Sequence, residues 1–315
     1  MKLHHLKNSE IEFERWDAAL TETHHPLIYA NSWYLNIVSP NWEALVNEDY
    51  TILIPLPIKS VLGIKFIVQP PFCQQLGLFS KRYSDCEVGD FSSQNIPFAT
   101  IIYQTKNLCF KKRDRLTKER SNLILPLQKE YSQLFKAFNQ NTKRNIKKAA
   151  KHPQKINQTF CAETFIEFSQ KHAPYSLSLK EWEVLKRIVE VSLSNKAGAI
   201  WTVTDTNNSL LSMAFFLNKY DRITFLSGHS SPQGFEQKSM FLLMDHVIKS
   251  HAESNKVLDF EGGSIEGVAR FYKGFGAIEE IYYVWQNPVL KPIVLMLNWL
   301  RERKQSVMKH APKNT

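Results

Sequence analysis

Residues 259–277 read Asp-Phe-Glu-Gly-Gly-Ser-Ile-Glu-Gly-Val-Ala-Arg-Phe-Tyr-Lys-Gly-Phe-Gly-Ala and set acidic, phenolic and cationic side chains around two glycine breaks. Such a set suits acyl transfer to an amine. The attacking amine must be neutral and the departing thiolate or alkoxide must gain a proton, so a carboxylate near the acceptor and a phenol or ammonium near the leaving group suffice. Glu261 is the candidate base or acceptor contact, with a role in capping the Gly262-Gly263 turn as the alternative. Tyr272 is the candidate acid, weighed against packing in the core. Lys273 is the second candidate at that position, where an ammonium would stabilise an oxyanion or a phosphate. Asp259 lies on the other side of a strand from its neighbours and reads as structural.

The elements that must position these groups follow from the local pattern. Residues 255–260 read as a short strand, and Gly262-Gly263 stops it while letting backbone approach a ligand closely. Ser264 is expected to cap a helix through Phe271, with Glu266 in its first turn and Lys273 at its end, both favourable to the helix dipole. Gly274 and Gly276 close it. Residues 277–285 then read as a long strand that stops at Asn287-Pro288.

Upstream, strands are expected at 199–204, 210–218 and 222–227, joined by short connections that fit antiparallel hairpins. A loop at 228–235 follows, carrying His229, Gln233 and Gly234 as candidate substrate contacts. Next comes a helix over 237–253, whose Met240, Leu243, Met244, Val247 and Ile248 share one face. Helices are also expected at 10–20, 31–38, 129–138, 162–171 and 179–193. Short strands are expected at 44–46, 51–56, 65–68, 96–103 and 121–126. Segments 31–34 and 69–77 are aromatic or polar enough to line a cleft, with Gln74 and Gln75 as candidate contacts and Trp33 as core.

The chain has 315 residues, 43% hydrophobic and 22% charged, which suits about two globular domains and argues against wholesale disorder. No apolar run approaches a membrane span, and the amino terminus lacks a signal-peptide apolar region, so the expected location is the cytoplasm. The four cysteines, Cys73, Cys86, Cys109 and Cys161, show no metal-ligand spacing, and no structural metal is expected. His4-His5 and His24-His25 have no partner spacing either. There is no Ser-centred nucleophile elbow, which disfavours covalent hydrolase chemistry.

The formal charge of +10 is unevenly spread. Lys111, Lys112, Arg113, Arg115, Lys118 and Arg120 form one cluster, which reads as a solvated face. In a second, the helical reading of 141–151 puts Arg144, Lys147, Lys148 and Lys151 on one side at spacings of three and four. Such a face attracts phosphate-bearing partners, among them nucleotides, coenzyme A, transfer RNA and anionic membrane. At the carboxy terminus, Pro292 starts a helix with Ile293, Val294, Met296, Leu297 and Leu300 apolar, followed by Arg301, Arg303 and Lys304. It is too short to span a bilayer; docking on the first half is expected, with an anionic membrane surface as the other destination.

The order of three strands, loop, helix, strand, helix, strand resembles the acetyltransferase fold of the GNAT superfamily. Locally, Leu258-Asp259-Phe260-Glu261-Gly262, Gly267 and Arg270-Phe271-Tyr272-Lys273-Gly274-Phe275-Gly276 resemble the signature of Fem-type (FemAB-like) peptidyltransferases and their acetyltransferase relatives. Residues 143–149 resemble the basic helix of those proteins. The resemblance implies an α+β fold of two tandem GNAT-like halves with mixed, mainly antiparallel sheets, the halves being 1–140 and 141–290, with 291–315 as a carboxy-terminal helix and basic tail. It implies an acyltransferase acting on an amine of a cell-envelope or polysaccharide precursor, with Tyr272, Lys273 and Glu261 as catalytic candidates. Arg144, Lys148, His229, Gln233, Gly234, Gly262, Arg270, Gln74 and Gln75 become its substrate-binding candidates. The donor, acyl-CoA or aminoacyl-tRNA, stays open, because residues 230–236 keep one glycine of the coenzyme A loop and add a proline. The implied partner is a phosphate-bearing or lipid-linked precursor, met in the cytoplasm or at the inner face of the membrane. An ordinary acyl-CoA-dependent N-acetyltransferase, and a non-catalytic phosphate or nucleic-acid binding protein on a degenerate scaffold, are the alternatives.

Overall fold

The structure is a computed structural model that describes residues 3–61, 64–82, 99–105, 117–159, 161–263 and 265–286. The chain divides into two compact units, Met1–Glu119 with Tyr283–Thr315, and Arg120–Tyr282. Residues 120–140, expected in the first half, cluster with the second unit. The carboxy-terminal helix, Ser264, Cys86, Cys109 and the Lys111 to Arg115 part of the first basic cluster lie outside the described residues.

In the first unit, β1 (His4–Leu6), β2 (Glu43–Val46), β3 (Ile52–Leu56) and β6 (Phe79–Ser80) form an antiparallel sheet in the order β1-β2-β3-β6. Two helices, α1 (Phe13–Thr21) and α2 (Ser32–Val38), contribute Trp16, Leu20, Tyr34 and Leu35 to a core that also holds Tyr29 and Trp42. Trp16 satisfies its buried indole N–H on the Ala30 carbonyl at 2.8 Å, as a buried tryptophan must. A second group of strands comprises β4 (Ile58–Val61), β5 (Ile64–Val68) and β7 (Ala99–Thr105). Here β4 pairs antiparallel and β7 parallel with β5.

The second unit contains α3 (Tyr131–Ala137), α4 (Gln140–Ala149), α5 (Ala162–His172), α6 (Leu179–Ser194), α7 (Pro232–Glu236), α8 (Ser239–Ser250) and α9 (Glu266–Gly274). Its strands β8 (Thr117–Pro126), β13 (Val257–Asp259), β12 (Arg222–Ser230), β11 (Leu210–Lys219), β10 (Gly198–Thr204) and β9 (Lys155–Thr159) lie side by side in that order. Only β12 and β13 run parallel; the remaining pairs are antiparallel. The last strand, β14 (Ile278–Gln286), carries the chain from the second unit back to the first.

Adjacent residues on a strand face opposite ways, and the two helical layers use this. Phe215 meets Phe165 of α5, while Phe216 packs with Phe225, Leu243 and Met244 in the cluster built on α8. Local signals start the helices. Asn139 caps α4 by accepting the Thr142 N–H at 2.8 Å, and Ser178 with Glu181 makes a reciprocal capping box on α6.

Four strands, β1, β4, β6 and β9, carry no clear sequence signal. Strand β9, Lys-Ile-Asn-Gln-Thr, is an edge strand whose solvated polar residues hide the apolar alternation. The loop expected at 228–235 is different in the structure. Strand β12 continues to Ser230, because Ser212↔Ser230 and Met213↔His229 extend its pairing with β11. Gly228 fits within it because a Cβ there would lie 2.6 Å from the Phe225 ring. Residues 232–236 then form α7, with Pro232 in its first turn and the Ser231 hydroxyl accepting the Gly234 N–H at 3.1 Å. Helix α9 begins at Glu266 and runs to Gly274, three residues past the expected Phe271. The Gly274 carbonyl accepts the Asn139 N–H at 2.9 Å, which ties the end of α9 to the start of α4.

Gly234 is needed for close approach: a Cβ there would lie 2.0 Å from the Leu211 carbonyl oxygen. Backbone cannot yield as a flexible side chain can, so Gly234→Ala is expected to destabilise the protein by about 2–3 kcal/mol, measured by urea unfolding.

Candidate functional site

The candidate site is built where the parallel pair β12–β13 ends. Arg222, Ile223 and Thr224 of β12 pair with Val257, Leu258 and Asp259 of β13, after which β13 ends while β12 runs on to Ser230. A register shift between Phe215 and Phe216 places an extra residue in β12 at this level and turns the strand. On the β13 side, Glu261 at φ 50° and Gly262 at φ 118° turn the chain away. The carboxyl ends of the two strands therefore diverge, the place where open sheets with parallel strands hold ligands.

A buried polar network holds this divergence. Asp259, 1% exposed, accepts hydrogen bonds from Arg222 Nη1 at 2.6 Å, Asn122 Nδ2 at 2.9 Å and the Glu261 N–H at 2.9 Å. Asn122 Oδ1 in turn accepts the Gly262 N–H at 3.0 Å. Arg222 also reaches Glu280 at 3.3 Å. Burial opposes the charge on Arg222, but the Asp259 and Glu280 carboxylates outweigh it and hold the guanidinium proton more tightly than usual. Asp259 is thus structural, as its place on the strand implied, and its bonds orient Glu261.

Tyr272 lies on the inner face of α9, 8% exposed, with its ring stacked on Phe260 at 4.6 Å and edge-on to Phe225 at 6.1 Å. Burial raises its pKa well above the ordinary phenol value, and the nearby Glu261 carboxylate and Tyr175 add to the rise. Tyr175 leaves 48% of its area in solvent, yet its hydroxyl lies 3.5 Å from His229 Nε2. Burial raises the Tyr175 pKa, and a hydrogen bond with Ser227 opposes that rise. His229, 6% exposed, also has Ser227 Oγ at 3.1 Å from Nε2. Burial, then the proximity of His172, pushes its pKa down to about 4, so the imidazole is neutral near pH 7.

The Tyr272 phenol thus lies within electrostatic reach of Glu261 and Tyr175, and Tyr175 in turn reaches His229, which stands on a strand. Other candidates lie elsewhere. Lys273 projects to Glu279, its ammonium 2.6 Å from that carboxylate, and Arg270 pairs with Glu266 at 2.7 Å on the exposed side of α9. Arg144 and Lys148 are exposed on α4; Gln233 is exposed on α7, and Gly234 backs onto Leu211. Gln74 and Gln75 belong to the first unit, where the buried Gln75 donates to Gln74 Oε1 at 2.8 Å. Cys73 is buried and Cys161 exposed. Among the described residues no group of three His, Cys, Asp or Glu side chains could hold a metal ion, and no helix is long and apolar enough to cross a membrane.

Tyr175, Ser227, Asn122 and Arg222 are not legible in the sequence as site residues. Arg222 follows a turn and reads as a strand-end cation, while Tyr175 sits in an Ala-Pro-Tyr-Ser connection with no periodicity. Nothing local announces that these groups meet.

No protein-family model matches the chain, and no curated protein matches it by sequence. Solved structures do. A crystal structure of FemX has 12% identity and a TM-score of 0.67, over 93% of this chain and 100% of that one. L-PGS from Bacillus licheniformis has 11% identity and a TM-score of 0.54, over 90% of this chain and 94% of that one. The DUF2156 carboxy-terminal domain of a candidate lysylphosphatidylglycerol synthetase from Agrobacterium fabrum has 11% identity and a TM-score of 0.55, over 92% of this chain and 95% of that one. The protein therefore has the Fem-like, GNAT-type acyltransferase fold.

Two outcomes follow from the site's electrostatics. A His229 pKa near 4 in the fold against about 6.5 in the unfolded chain means that the unfolded state binds more protons between those values. The stability associated with neutral His229 is complete above pH 6.5 and is lost as pH falls towards 4, by roughly 3 kcal/mol. Relative to His229→Gln, the wild type should lose that much more in acid, as read from urea unfolding at stepped pH. Asp259→Asn should cost about 3–5 kcal/mol in the same assay at pH 7, because it removes one partner of a buried ion pair.

Proposed function

We propose that the protein is an acyltransferase that moves an acyl or aminoacyl group onto an amine of a cell-envelope precursor, the amine attacking the donor directly. The observation that carries this reading is the Glu261 carboxylate beside the Tyr272 phenol where β12 and β13 diverge. FemX and the lysylphosphatidylglycerol synthetase domain, whose name describes a lysyl group joined to a phospholipid, support it through a shared fold.

Glu261 serves as the base or holds the acceptor amine, and Tyr272 donates a proton to the departing oxygen. The two steps reinforce each other. While Glu261 is ionised its charge helps keep the phenol protonated; once it takes the amine's proton that charge is gone, and Tyr272 becomes the better acid as the leaving group departs.

Two observations favour an aminoacyl ester over a thioester as donor. A phenol with a raised pKa is better matched to a strongly basic alkoxide than to a thiolate, which needs little help to leave. At α7, where this fold would hold the coenzyme A pyrophosphate, Pro232 has no N–H, Ser231 N–H is bonded to the Leu211 carbonyl and Gly234 N–H to the Ser231 hydroxyl. Few N–H groups remain there for an anion. The acceptor is then a phosphate-bearing or lipid-linked precursor, met in the cytoplasm or at the inner membrane face, with His229 and Tyr175 as contacts. Lys273, tied to Glu279, is second to Tyr272 as the acid.

Tyr272→Phe should lower kcat by about 10²-fold or more with little change in KM, and Glu261→Gln should act similarly, in an assay with aminoacyl-tRNA and muropeptide precursors. Full turnover by Tyr272→Phe would remove the phenol from the mechanism. Turnover of acetyl-CoA alone would make the protein an ordinary acyl-CoA-dependent enzyme, and binding without turnover of any donor would make it a non-catalytic binder.

A further inference from the structure

We infer that Arg120 and the Tyr282 hydroxyl form a subsite for a carboxylate, so that the acceptor amine stands next to a carboxylate, as it does in an α-amino acid. The inference rests on the transfer reading, with Glu261 as the group that meets the amine, and it narrows the acceptor to a zwitterionic centre. Both residues belong to the second unit. Strand alternation places them. On β8, Leu123 and Leu125 face the core cluster built on α8, so Asn122 and Arg120 face the other side of the sheet. Asn122 donates there to Asp259 and accepts the Gly262 N–H. On β14, which lies next to β8, Glu280 reaches Arg222, and Tyr282, two residues on, points the same way.

Strand β13 stops at Asp259 while β8 extends past it, and the chain that turns away from β13 runs beside Ser121. A Cβ on Gly263 would lie 3.6 Å from the Ser121 carbonyl oxygen. Arg120 is the next residue along β8, beside the Glu261 turn. The charges are felt at Tyr282: burial raises its pKa, the Arg120 cation opposes the rise, and the Glu261 and Asp259 carboxylates add to it. Tyr282 is 7% exposed, yet its hydroxyl makes no hydrogen bond among the described residues. A buried phenol normally gives its O–H to a partner. Arg120 is exposed and has no ion pair among the described residues, in contrast to Arg222, which has two carboxylates. A cation and a phenol, each without a protein partner, thus flank the turn that carries the candidate base.

The planar fork of a guanidinium and the O–H of a phenol suit the two oxygens of a carboxylate. Charge decides against a phosphate dianion. Around the subsite Arg120 and Arg222 stand with the Asp259, Glu261 and Glu280 carboxylates, which leaves no positive excess to draw in two negative charges. A zwitterion brings no net charge. Its ammonium meets Glu261 and its carboxylate meets Arg120, each end finding the opposite sign.

The test is a ligand-observed NMR titration of the full chain, without donor, using lysine and cadaverine, one carbon chain with and without the carboxylate. The wild type should bind lysine about 10-fold or more tightly than cadaverine. Arg120→Gln should bring lysine down to the cadaverine level and leave cadaverine unchanged. Arg120→Lys, which keeps the charge but not the fork, should restore part of the preference. Tyr282→Phe should weaken lysine by about 3- to 10-fold, again with cadaverine unchanged. Glu261→Gln should weaken both, since both carry the ammonium. Arg120 is exposed and the Tyr282 hydroxyl has no hydrogen bond to lose among the described residues, so these variants should melt at the wild-type temperature. The inference is overturned if the wild type binds both ligands alike or neither, if Arg120→Gln keeps the preference, or if inorganic phosphate displaces lysine at a lower concentration than acetate does. Because no donor is present, the outcomes separate. A protein that shows the preference yet transfers nothing keeps the subsite and loses the reaction, while one that transfers through Tyr272 yet shows no preference keeps the reaction and loses the subsite.

Discussion

The ion pair between Asp259 and Arg222, buried within the parallel pair of β12 and β13, is the interaction on which the candidate site depends. Its two charges come from strands far apart in sequence, and Asn122 joins them from a third. Burying such a set costs several kcal/mol per ion, which a close opposite charge and further hydrogen bonds must offset. Asp259 meets that condition with three donors, one of them the Glu261 N–H that begins the turn. The positive φ at Glu261, unfavourable for a side chain, persists because the network holds the backbone on both sides of it.

From that anchor the chemistry follows by placement. The turn leaves Glu261 at the mouth of the strand divergence, and α9 brings Tyr272 to it on an aromatic stack with Phe260. Burial gives one phenol a raised pKa and one imidazole a lowered one. Both groups are consequently neutral hydrogen-bonding partners near pH 7, beside a carboxylate that carries the charge. In the proposed reaction this carboxylate and the Tyr272 phenol, as base and acid, would influence each other electrostatically.

Much of this is legible in the order of the residues alone. The glycine-broken strand and the helix after it are local features, so a strand at Val257–Asp259 and a helix at Glu266–Gly274 form close to where their spacing implies. The row of cations on α4 is equally local, because helical periodicity alone puts Arg144, Lys147 and Lys148 together. Where the fold departs from a loop at 228–235, long-range pairing is the cause: Ser230 is extended because Ser212 lies opposite it, and turn-forming residues yield to the sheet. His229 accordingly stands on a buried strand and not in a solvated loop. Lys273 and Tyr272 are neighbours in sequence, yet one helical step sends the first to Glu279 on the surface and the second into the core.

By itself, then, the sequence determined the types and local geometry of the candidate groups: a carboxylate at a strand end, a phenol on the helix behind it and a separate cationic helix. Short-range sterics, periodicity and dipoles govern those features, and they need no distant partner. Only the tertiary structure decided which groups share a space. Tyr175, Ser227 and His229 meet through a helix connection and a strand separated by some fifty residues of chain. Asp259 could stay charged in the interior only once Arg222 and Asn122 arrived from other strands. Solvation and electrostatics depend on proximity in space, and proximity in space is set by packing.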